Sequence, residues 1–509
     1  MKLSLCMIAR DNEETIGPCL ESIRPWVDEM IVVDTGSVDD TPGIAESLGA
    51  RVGYFKWIDD FSAARNASID LARGEWVFWM DTDDTISAEC GQRLRDLADS
   101  RHDDNVMGYV MQVHCPSDID NGKREFTVVD HVKMIRNRGD LRFEGRIHEQ
   151  VLMNIRRMNG EVLWTDIHVV HSGSDGSPEG QKRKNERDLR ILRKDLEERP
   201  NHPFVLFNFA MTHAEVGEFE EALDWVNQCL DASHPDESHV PKALAYQVNC
   251  LYQLKRFDEA LSASQEARSH YPNDIELLFR EAILLHSIGR PTDAIERYRG
   301  ILGQKPENTF RSADPGIQGF KCRFNLGLVY QDLNRLDEAE LQFRLVLAET
   351  PGYKPASRAL ANVLLAMDRL ATAELESELM LECESTHESG SLLQARVWEQ
   401  RGDWDKAAEA FAQCHERYPE STTVLDECYR FHFMREQWES SIEYLTSLIK
   451  LEPDNPASLH NMGSALLQSG RRKKAVKFLK KSLKLRPDSP ATNELLTTAL
   501  ADQHVTHDG

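Results

Sequence analysis

Short apolar runs alternate with amphipathic segments along the first third of the chain. The runs cover residues 3–9, 30–34, 51–55 and 76–81, and the segments between them carry apolar residues at helical spacing. Near-continuous apolar strands that alternate with helices are typical of a parallel sheet covered by helices on both faces. The pattern therefore predicts an α/β domain over residues 1–175.

After residue 200 the pattern changes to a repeat of 34 residues. A small residue recurs at this interval, and a proline recurs where the units end. The small residues are Ala339, Ala373, Ala407, Ser441 and Ala475, and the prolines are Pro419, Pro453 and Pro487. A small residue is needed where the two helices of a unit touch, and proline closes the second helix because it cannot continue it. The period resembles the tetratricopeptide repeat.

We count about eight such units over residues 201–489, with an insertion at 309–319. Residues 176–200 are predicted to form a charged linker helix, and residues 490–509 a capping helix and tail. Each unit buries its apolar face only by stacking on its neighbours. The array is therefore expected to form an all-α superhelix with a concave surface.

Charge and cysteine content narrow the class of protein. The 509 residues carry a formal net charge of −25, which argues against a general nucleic-acid binder, because a basic surface supplies most of such affinity. The N-terminus has the pattern of a first strand and not of a signal peptide, and no apolar run approaches the ~18 residues of a membrane span. The ten cysteines are scattered without a C-x-x-C pair, which favours reduced thiols. We therefore expect a cytoplasmic protein.

Acidic residues follow two of the predicted strands. Asp34 ends the second apolar run, Asp81 ends the fourth, and Asp83 comes two residues later. Parallel sheets bind ligands at the carboxyl ends of their strands. In an extended strand end, acids two residues apart point the same way, and together they suit Mg²⁺ or Mn²⁺. The alternative is an acidic loop in which Asp84 caps a helix.

Four segments, taken in order, carry a resemblance to a known family: SLCMIARDNEE, VVDTGSVDDT, FSAARNAS and GEWVFWMDTDD. Together they resemble a family 2 glycosyltransferase of the GT-A fold, the Rossmann-like fold of nucleotide-diphospho-sugar transferases. The resemblance covers about residues 3–175. Bacterial peptide and protein glycosyltransferases of the sublancin-type S-glycosyltransferase group pair a similar domain with helical repeats, so the arrangement of the whole chain is similar to theirs.

The resemblance implies a donor site. The backbone at Ala9 would line the nucleotide pocket, Asp34 would hydrogen-bond the uracil or ribose, and Arg65 would lie near the base and diphosphate. Asn66 and Asp81 would also contact the donor. The residues alone leave an alternative for Asp34, which could cap the next helix through the DTGS turn.

The resemblance also implies a metal site, with Asp81 and Asp83 as ligands and His171 as a late histidine that completes the shell. Asp83 would be the more direct of the two acidic ligands. Relatives with an attached repeat domain often have tyrosine in an H-x-G-Tyr motif at this histidine. Here the sequence reads His171-Ser172-Gly173-Ser174, so a stacking role is not supported.

An inverting transfer needs one general base to take the acceptor's proton. In GT-A enzymes a glycine-containing loop and an acidic residue follow the metal motif, and here Gly145 fits the loop and Glu149 the acid. Glu149 is our candidate base, with Glu144 and His148 as alternatives. His148 could instead be a structural hydrogen-bonding partner.

The sequence thus predicts a metal-dependent, inverting glycosyltransferase that uses Mg²⁺ or Mn²⁺ and a nucleotide-diphosphate sugar, with a UDP-sugar favoured. Tetratricopeptide arrays bind peptides, so the expected acceptor is a protein or peptide recruited by the repeats. One alternative is a saccharide or lipid-linked acceptor in cell-envelope polysaccharide synthesis. The alternative of another class is a non-catalytic repeat scaffold with a decayed transferase domain, against which the intact Asp81, Asp83 and Glu149 argue.

One segment, residues 471–487, is basic in an otherwise acidic chain. Its predicted core stripe is Ala475, Phe478, Leu479 and Leu483, which leaves the lysines on the other face. This face is either a solvated side of the last repeat or a docking surface for an acidic partner or an anionic membrane.

Overall fold

The computed structural model describes residues 1–117, 125–173, 177–237, 239–304, 315–382 and 384–501. The described residues form two compact bodies, the first ending at Val329 and the second beginning at Tyr330. The last residues of the predicted tail (502–509), most of the predicted insertion (309–314) and Ser174 lie outside the described residues.

The first body begins with an α/β domain built on one mixed sheet. In the part of the chain that the structure describes, its strands are β1 (Leu3–Ala9), β2 (Glu29–Asp34), β3 (Arg51–Tyr54), β4 (Trp76–Trp79), β5 (Asp84–Thr85), β6 (Val106–Ser117), β7 (Glu125–Arg136) and β8 (Glu161–His171). Across the sheet they are ordered β3-β2-β1-β4-β7-β6-β8-β5.

Only part of this sheet is parallel. β1, β2, β3 and β4 run parallel to one another, as the alternation of strands and helices predicted. β7 is antiparallel to both β4 and β6, β8 is parallel to β6, and β5 is antiparallel to β8. The parallel arrangement predicted from the four apolar runs is therefore confirmed for β1 to β4, and it does not extend to the strands beyond β4. β6 and β7 are consecutive strands that only residues 118–124 connect, and they pair as antiparallel neighbours.

Helices cover both faces of the sheet. They are α1 (Ile16–Ile23), α2 (Thr41–Ser47), α3 (Phe61–Asp70), α4 (Ala88–Asp99) and α5 (Leu152–Arg157). Leu20 of α1 and Leu94 of α4 are buried in the core on one face, and Ile69 of α3 and Ile155 of α5 in the core on the other. With both faces covered, ligands can approach the parallel strands only at their ends, and the carboxyl ends of β1, β2 and β4 share one edge.

The rest of the described chain is helical. In the described residues, α6 (Pro178–Glu198) precedes helices that follow one another in eight pairs, with a single helix after the last pair. These are α7 (Pro203–Glu215), α8 (Phe219–Ala232), α9 (Val240–Gln253), α10 (Phe257–His270), α11 (Ile275–Ser287), α12 (Pro291–Gly303), α13 (Phe320–Asp332), α14 (Leu336–Glu349), α15 (Lys354–Ala366), α16 (Leu370–Leu381), α17 (His387–Gln400), α18 (Trp404–Arg417), α19 (Thr422–Met434), α20 (Trp438–Leu451), α21 (Pro456–Gln468), α22 (Arg472–Leu485) and α23 (Pro490–Ala501). The predicted order, an α/β domain followed by a long run of repeat helices, is confirmed.

The turn inside each pair has a common backbone feature. One residue between the two helices has a positive φ, which ends the first helix. These residues are Gly217, Lys255, Gly289, Asn334, Asp368, Gly402, Glu436 and Gly470. The small residues of the 34-residue pattern, Ala339, Ala373, Ala407, Ser441 and Ala475, are fully buried on the second helices. Their small size allows the close helix contact that the period implied.

Three further expectations concern the basic segment, membrane spans and the cysteines. On α22, Ala475 and Leu479 are buried, while the lysines at 473, 474, 480 and 481 are exposed. None of the described helices is both long and apolar enough to cross a membrane. The nine cysteines within the described residues are free thiols.

Candidate active site

The residues after β4 form a tight turn. The N–H of Asp84 donates to the carbonyl of Asp81 at 3.1 Å, and the N–H of Asp81 donates to Oδ2 of Asp84 at 3.0 Å. Asp81 and Asp83 therefore do not continue an extended strand. Strand alternation, from which we expected their side chains to point the same way, does not apply here. Asp84 does not cap a helix either, because it begins β5 and the N-cap of α4 is Ser87.

A buried ion pair supports this turn. Nζ of Lys133 lies 2.7 Å from Oδ2 of Asp84, and neither side chain is more than 1% exposed. Burial raises the pKa of the Asp84 carboxyl, but the Lys133 ammonium and the hydrogen bond from His171 outweigh it and hold this pKa below its usual range. Nδ1 of His171 lies 2.9 Å from Oδ1 of Asp84. Both oxygens of Asp84 are thus engaged, and Asp84 fixes the orientation of His171.

The side chains around the turn fit a divalent cation. Ligand atoms of Asp81, Asp84 and His171 lie within 4.8 Å of one another, and Oδ1 of Asp83 lies 3.3 Å from Nδ1 of His171. Burial raises the pKa of Asp83, and the carboxylates of Asp81 and Asp84 add to this although His171 opposes it. Clustered carboxylates with one imidazole are a donor set for Mg²⁺ or Mn²⁺, whose charge would offset the repulsion.

Arg65 of α3 connects this cluster to the candidate base. Its Nε donates to Oε1 of Glu149 at 2.7 Å, and its Nη2 donates to Oδ1 of Asp81 at 3.1 Å. The guanidinium lies 4.1 Å from the ring centroid of Trp79. Burial lowers the pKa of Arg65, but the two carboxylates outweigh it and raise this pKa. Its buried Nη1 has no hydrogen-bond partner among the described residues, so a charged donor is available for a further anion.

The three candidate bases lie on one loop but have different surroundings. Glu144 pairs with Arg157 on α5 and forms a β-bridge with Gln150. Glu149 is 12% exposed, and no described residue donates a hydrogen bond to its Oε2. His148 is exposed, with a φ of +52°. Of the three, Glu149 combines partial burial with a free oxygen.

The remaining residues predicted to contact the donor make hydrogen bonds within the domain. The carboxylate of Asp34 accepts from the N–H of Gly36 at 2.9 Å and from that of Ser37 at 3.1 Å. It therefore closes the DTGS turn and does not cap α2, which begins at Thr41. The carbonyl of Ala9 accepts from the N–H of Thr35 at 2.9 Å.

Asn66 holds the loop of the candidate bases. Its Nδ2 donates to the carbonyl of Phe143, and its Oδ1 accepts from the N–H of Phe143, both at 2.9 Å. Both polar atoms of the side chain are engaged in this way, so Asn66 positions the loop, and its contact with the donor stays a prediction.

Sequence reasoning missed Lys133, Trp79 and His131. Nζ of Lys133 lies 3.9 Å from the Trp79 ring centroid, and the ring of His131 packs edge-on against Trp79 at 5.7 Å. Burial lowers the pKa of His131 to about 4, with Lys133 adding to the effect. The lysine inside the apolar strand segment VVDHVKMIR is the feature of the sequence that could have indicated a buried ion pair.

A cleft of about 850 Å³ adjoins the candidate site within the first body. One wall consists of β7 residues and the loop that carries His148 and Glu149. The other consists of α7, the start of α9 and the turn before α11. Ile147 of that loop packs with Ile191 of α6 and Val205 of α7, so the loop and the first repeat share a core.

Comparison with known proteins agrees with this architecture. Residues 4–157 match the glycosyl transferase family 2 model, and four tetratricopeptide-repeat models match residues 247–309, 320–353, 391–421 and 432–498. The chain therefore contains an N-terminal family 2 glycosyltransferase domain followed by tetratricopeptide repeats, and it is a glycosyltransferase.

Two curated relatives match more than half of this chain. A TPR repeat-containing protein of Synechococcus elongatus is 27% identical over 69% of this chain and 76% of its own length. The glycosyltransferase SunS of Bacillus subtilis is 27% identical over 55% of this chain and 66% of its own length. Among solved structures, a tetratricopeptide repeat protein from Parabacteroides merdae covers 58% of this chain and 98% of its own, with 15% identity and a TM-score of 0.40.

Proposed function

We propose that this protein is a metal-dependent, inverting glycosyltransferase that moves a sugar from a nucleotide-diphosphate donor, a UDP-sugar, to a protein or peptide acceptor in the cytoplasm. One observation carries the proposal. Arg65 joins Asp81 of the acidic turn to Glu149 of the loop, with contacts of 3.1 and 2.7 Å. The same side chain thus links a cation and diphosphate site to a base.

The acidic turn supplies the donor half of the site. Asp81, Asp83 and His171 would hold a divalent cation, and Asp84 with Lys133 would keep His171 in place. When bound, the cation supplies charge that stabilises the departing diphosphate. The Nη1 group of Arg65 donates to a diphosphate oxygen, because it is buried, charged and without a partner among the described residues.

Glu149 supplies the acceptor half. Its Oε2 takes the proton from the acceptor hydroxyl or thiol as that atom attacks the anomeric carbon, while its Oε1 stays bound to Arg65. The bond from the sugar to the diphosphate breaks in the same step, so the configuration inverts. Trp79 packs against Arg65 and thereby restrains it.

The test is a panel of nucleotide sugars with Mg²⁺ or Mn²⁺, in which release of the nucleoside diphosphate measures slow hydrolysis without any acceptor. We expect release from a UDP-sugar, abolished by EDTA and by Asp83→Asn. The matched control is Asp140→Asn, because Asp140 is an exposed acid paired with Arg138 away from the turn. Release that is equal with and without the cation, or unchanged in Asp83→Asn, would refute the metal assignment.

A further inference from the structure

Strand β7 has an open edge beside the active site. It pairs with β4 only at residues 134–136, because β4 ends at Trp79. In the part of the chain that the structure describes, Val128, Val129 and Val132 pair with β6 alone. Such an edge presents backbone N–H and C=O groups to whatever lies beside it.

One hydrogen bond shows which way this edge faces. The indole N–H of Trp79 donates to the carbonyl of Val132 at 2.8 Å, so Val132 turns its carbonyl away from β6. In an antiparallel pair, the residues that bond to the partner strand alternate with those that do not. Val128 therefore turns its backbone groups the same way as Val132. Asp130 has the same place in this alternation. Asp130 and Val132 both line the cleft, which places the cleft along the open edge, with Val128 next along that edge.

The opposite wall carries a side-chain amide. Asn208 of α7 lines the cleft, although the residue as a whole is only 4% exposed. No residue within the described ranges hydrogen-bonds to its side-chain amide. The amide is therefore available to a bound molecule, to which it offers both a donor and an acceptor. A peptide bond presents the complementary pair. Phe204, Phe207 and Tyr271 lie on the same wall and provide apolar contact.

We propose that the cleft binds the acceptor as an extended polypeptide segment, which adds as a strand to the open edge of β7 while Asn208 holds it from the other wall. This inference rests on the proposed function and specifies its acceptor. Glu149 lines the same cleft, so the bound segment presents one side chain to the base. A saccharide or a lipid has no regular row of amide groups to match a strand edge.

The first experiment uses the full chain, the active UDP-sugar and a library of unstructured peptides, each about ten residues long and with one central Ser, Thr or Cys. Transfer is read by mass. In the best peptide, N-methylation at successive positions should lower transfer at least about fivefold at every second position, because each methyl group removes one backbone donor. Loss without this period of two would overturn strand addition.

The second experiment uses variants of the protein. Val128→Pro removes one N–H from the open edge, where proline is tolerated, and should lower the ratio of transfer to donor hydrolysis about fivefold. The control variant Val128→Thr keeps the N–H, so its ratio of transfer to donor hydrolysis should equal that of the wild type. An unchanged ratio in Val128→Pro would overturn the assignment of the edge.

A third variant tests the opposite wall. Asn208→Leu should raise the KM for the peptide about fivefold while amide hydrogen exchange in α7 stays unchanged, because the amide that faces the peptide is lost and an apolar group of similar size keeps the packing. A merely structural Asn208 would not separate KM from stability in this way. The control is Gln228→Leu, which changes an exposed amide on α8 outside the cleft lining. Equal KM values in the two variants would overturn the role of Asn208.

The outcomes separate the two proposals. If peptides accept the sugar without the period of two, the strand inference alone is wrong and the proposed function stands. If the donor is hydrolysed but only saccharides from a matched panel accept the sugar, the peptide acceptor is wrong in both proposals, and only the donor and metal assignments stand. If no nucleotide sugar is hydrolysed and no acceptor is modified, the proposed function is wrong and the inference falls with it.

Discussion

Replacing Lys133 with Met should destabilise the transferase domain more than replacing both members of its ion pair. The single change leaves the carboxylate of Asp84 fully buried without its nearest cation. The double variant Lys133→Met/Asp84→Asn removes both charges of this buried pair. Removing one partner of a buried pair is usually worse than removing both, because an unpaired buried charge is the costly state.

The structure sets the expected size. Breaking a buried ion pair costs about 3–5 kcal/mol. We expect about 3 kcal/mol for Lys133→Met, the lower end, because His171 still bonds to Asp84 at 2.9 Å. The loss includes the contact of the Lys133 ammonium with the Trp79 ring. The double variant should lose less than half as much as the single one.

Hydrogen exchange is the suitable assay, because a chain with two compact bodies does not unfold in one cooperative step. Amide protection is read by mass spectrometry in peptides that cover β4 and β7. A loss of about 3 kcal/mol corresponds to roughly 100-fold faster exchange where opening limits it. Peptides from α21 and α22 in the second body serve as the internal control. If the single and double variants lose equal protection, the cost comes from packing around Trp79, and the argument from the unpaired carboxylate is refuted.

Three further predictions concern the base, the acid stability and the repeat turns. Glu149→Gln should lower kcat for transfer by about 10²–10⁴-fold with little change in the KM for the donor, because the amide keeps an oxygen that accepts from Nε of Arg65 but cannot take a proton. Since His131 has a pKa of about 4 in the folded protein and its unfolded value is about 6.5, domain stability should rise with pH across that window by about 3 kcal/mol, and His131→Gln should flatten the rise. Glu436→Gly should stabilise the second body by about 1 kcal/mol in urea unfolding, because Glu436 has a φ of +58°.

Each of these has a matched control. Glu144→Gln changes a carboxylate of the same loop that pairs with Arg157, and it should retain most of the activity. If Glu149→Gln and Glu144→Gln lose equal amounts of kcat, the assignment of Glu149 as the base is contradicted. For the acid window, a pH profile of stability that is the same with and without His131 would show that other groups cause it. For the turn, Gly402→Ala at the equivalent position should be destabilising, and the opposite sign would contradict the argument from backbone conformation.

The sequence predicted those features that depend on local order. Ala339 and Ala373 mark their helices because a small residue is needed at every helix contact, and the interval repeats along the chain. Asp81 could be placed at a strand end because the apolar run before it is short and continuous. These inferences require no knowledge of which distant residues meet.

The pairing of distant residues could not be predicted in this way. Asp84 and Lys133 meet because β7 lies beside β4 in the sheet, and strand order is not visible in hydrophobic periodicity. The same holds for Arg65 and Glu149, which are 84 positions apart. The strand argument for Asp81 and Asp83 failed for a local reason: the carboxylate of Asp84 closes a turn that an apolar pattern cannot reveal.

The shared guanidinium of Arg65 has a consequence for the timing of the reaction. It holds Asp81 on the donor side and Glu149 on the acceptor side with one positive charge. An arriving diphosphate shares that charge, which makes Glu149 a stronger base although its Oε1 stays bound to Arg65. We therefore expect compulsory-order kinetics, in which the sugar nucleotide adds first, the acceptor second, and the spent nucleotide leaves last.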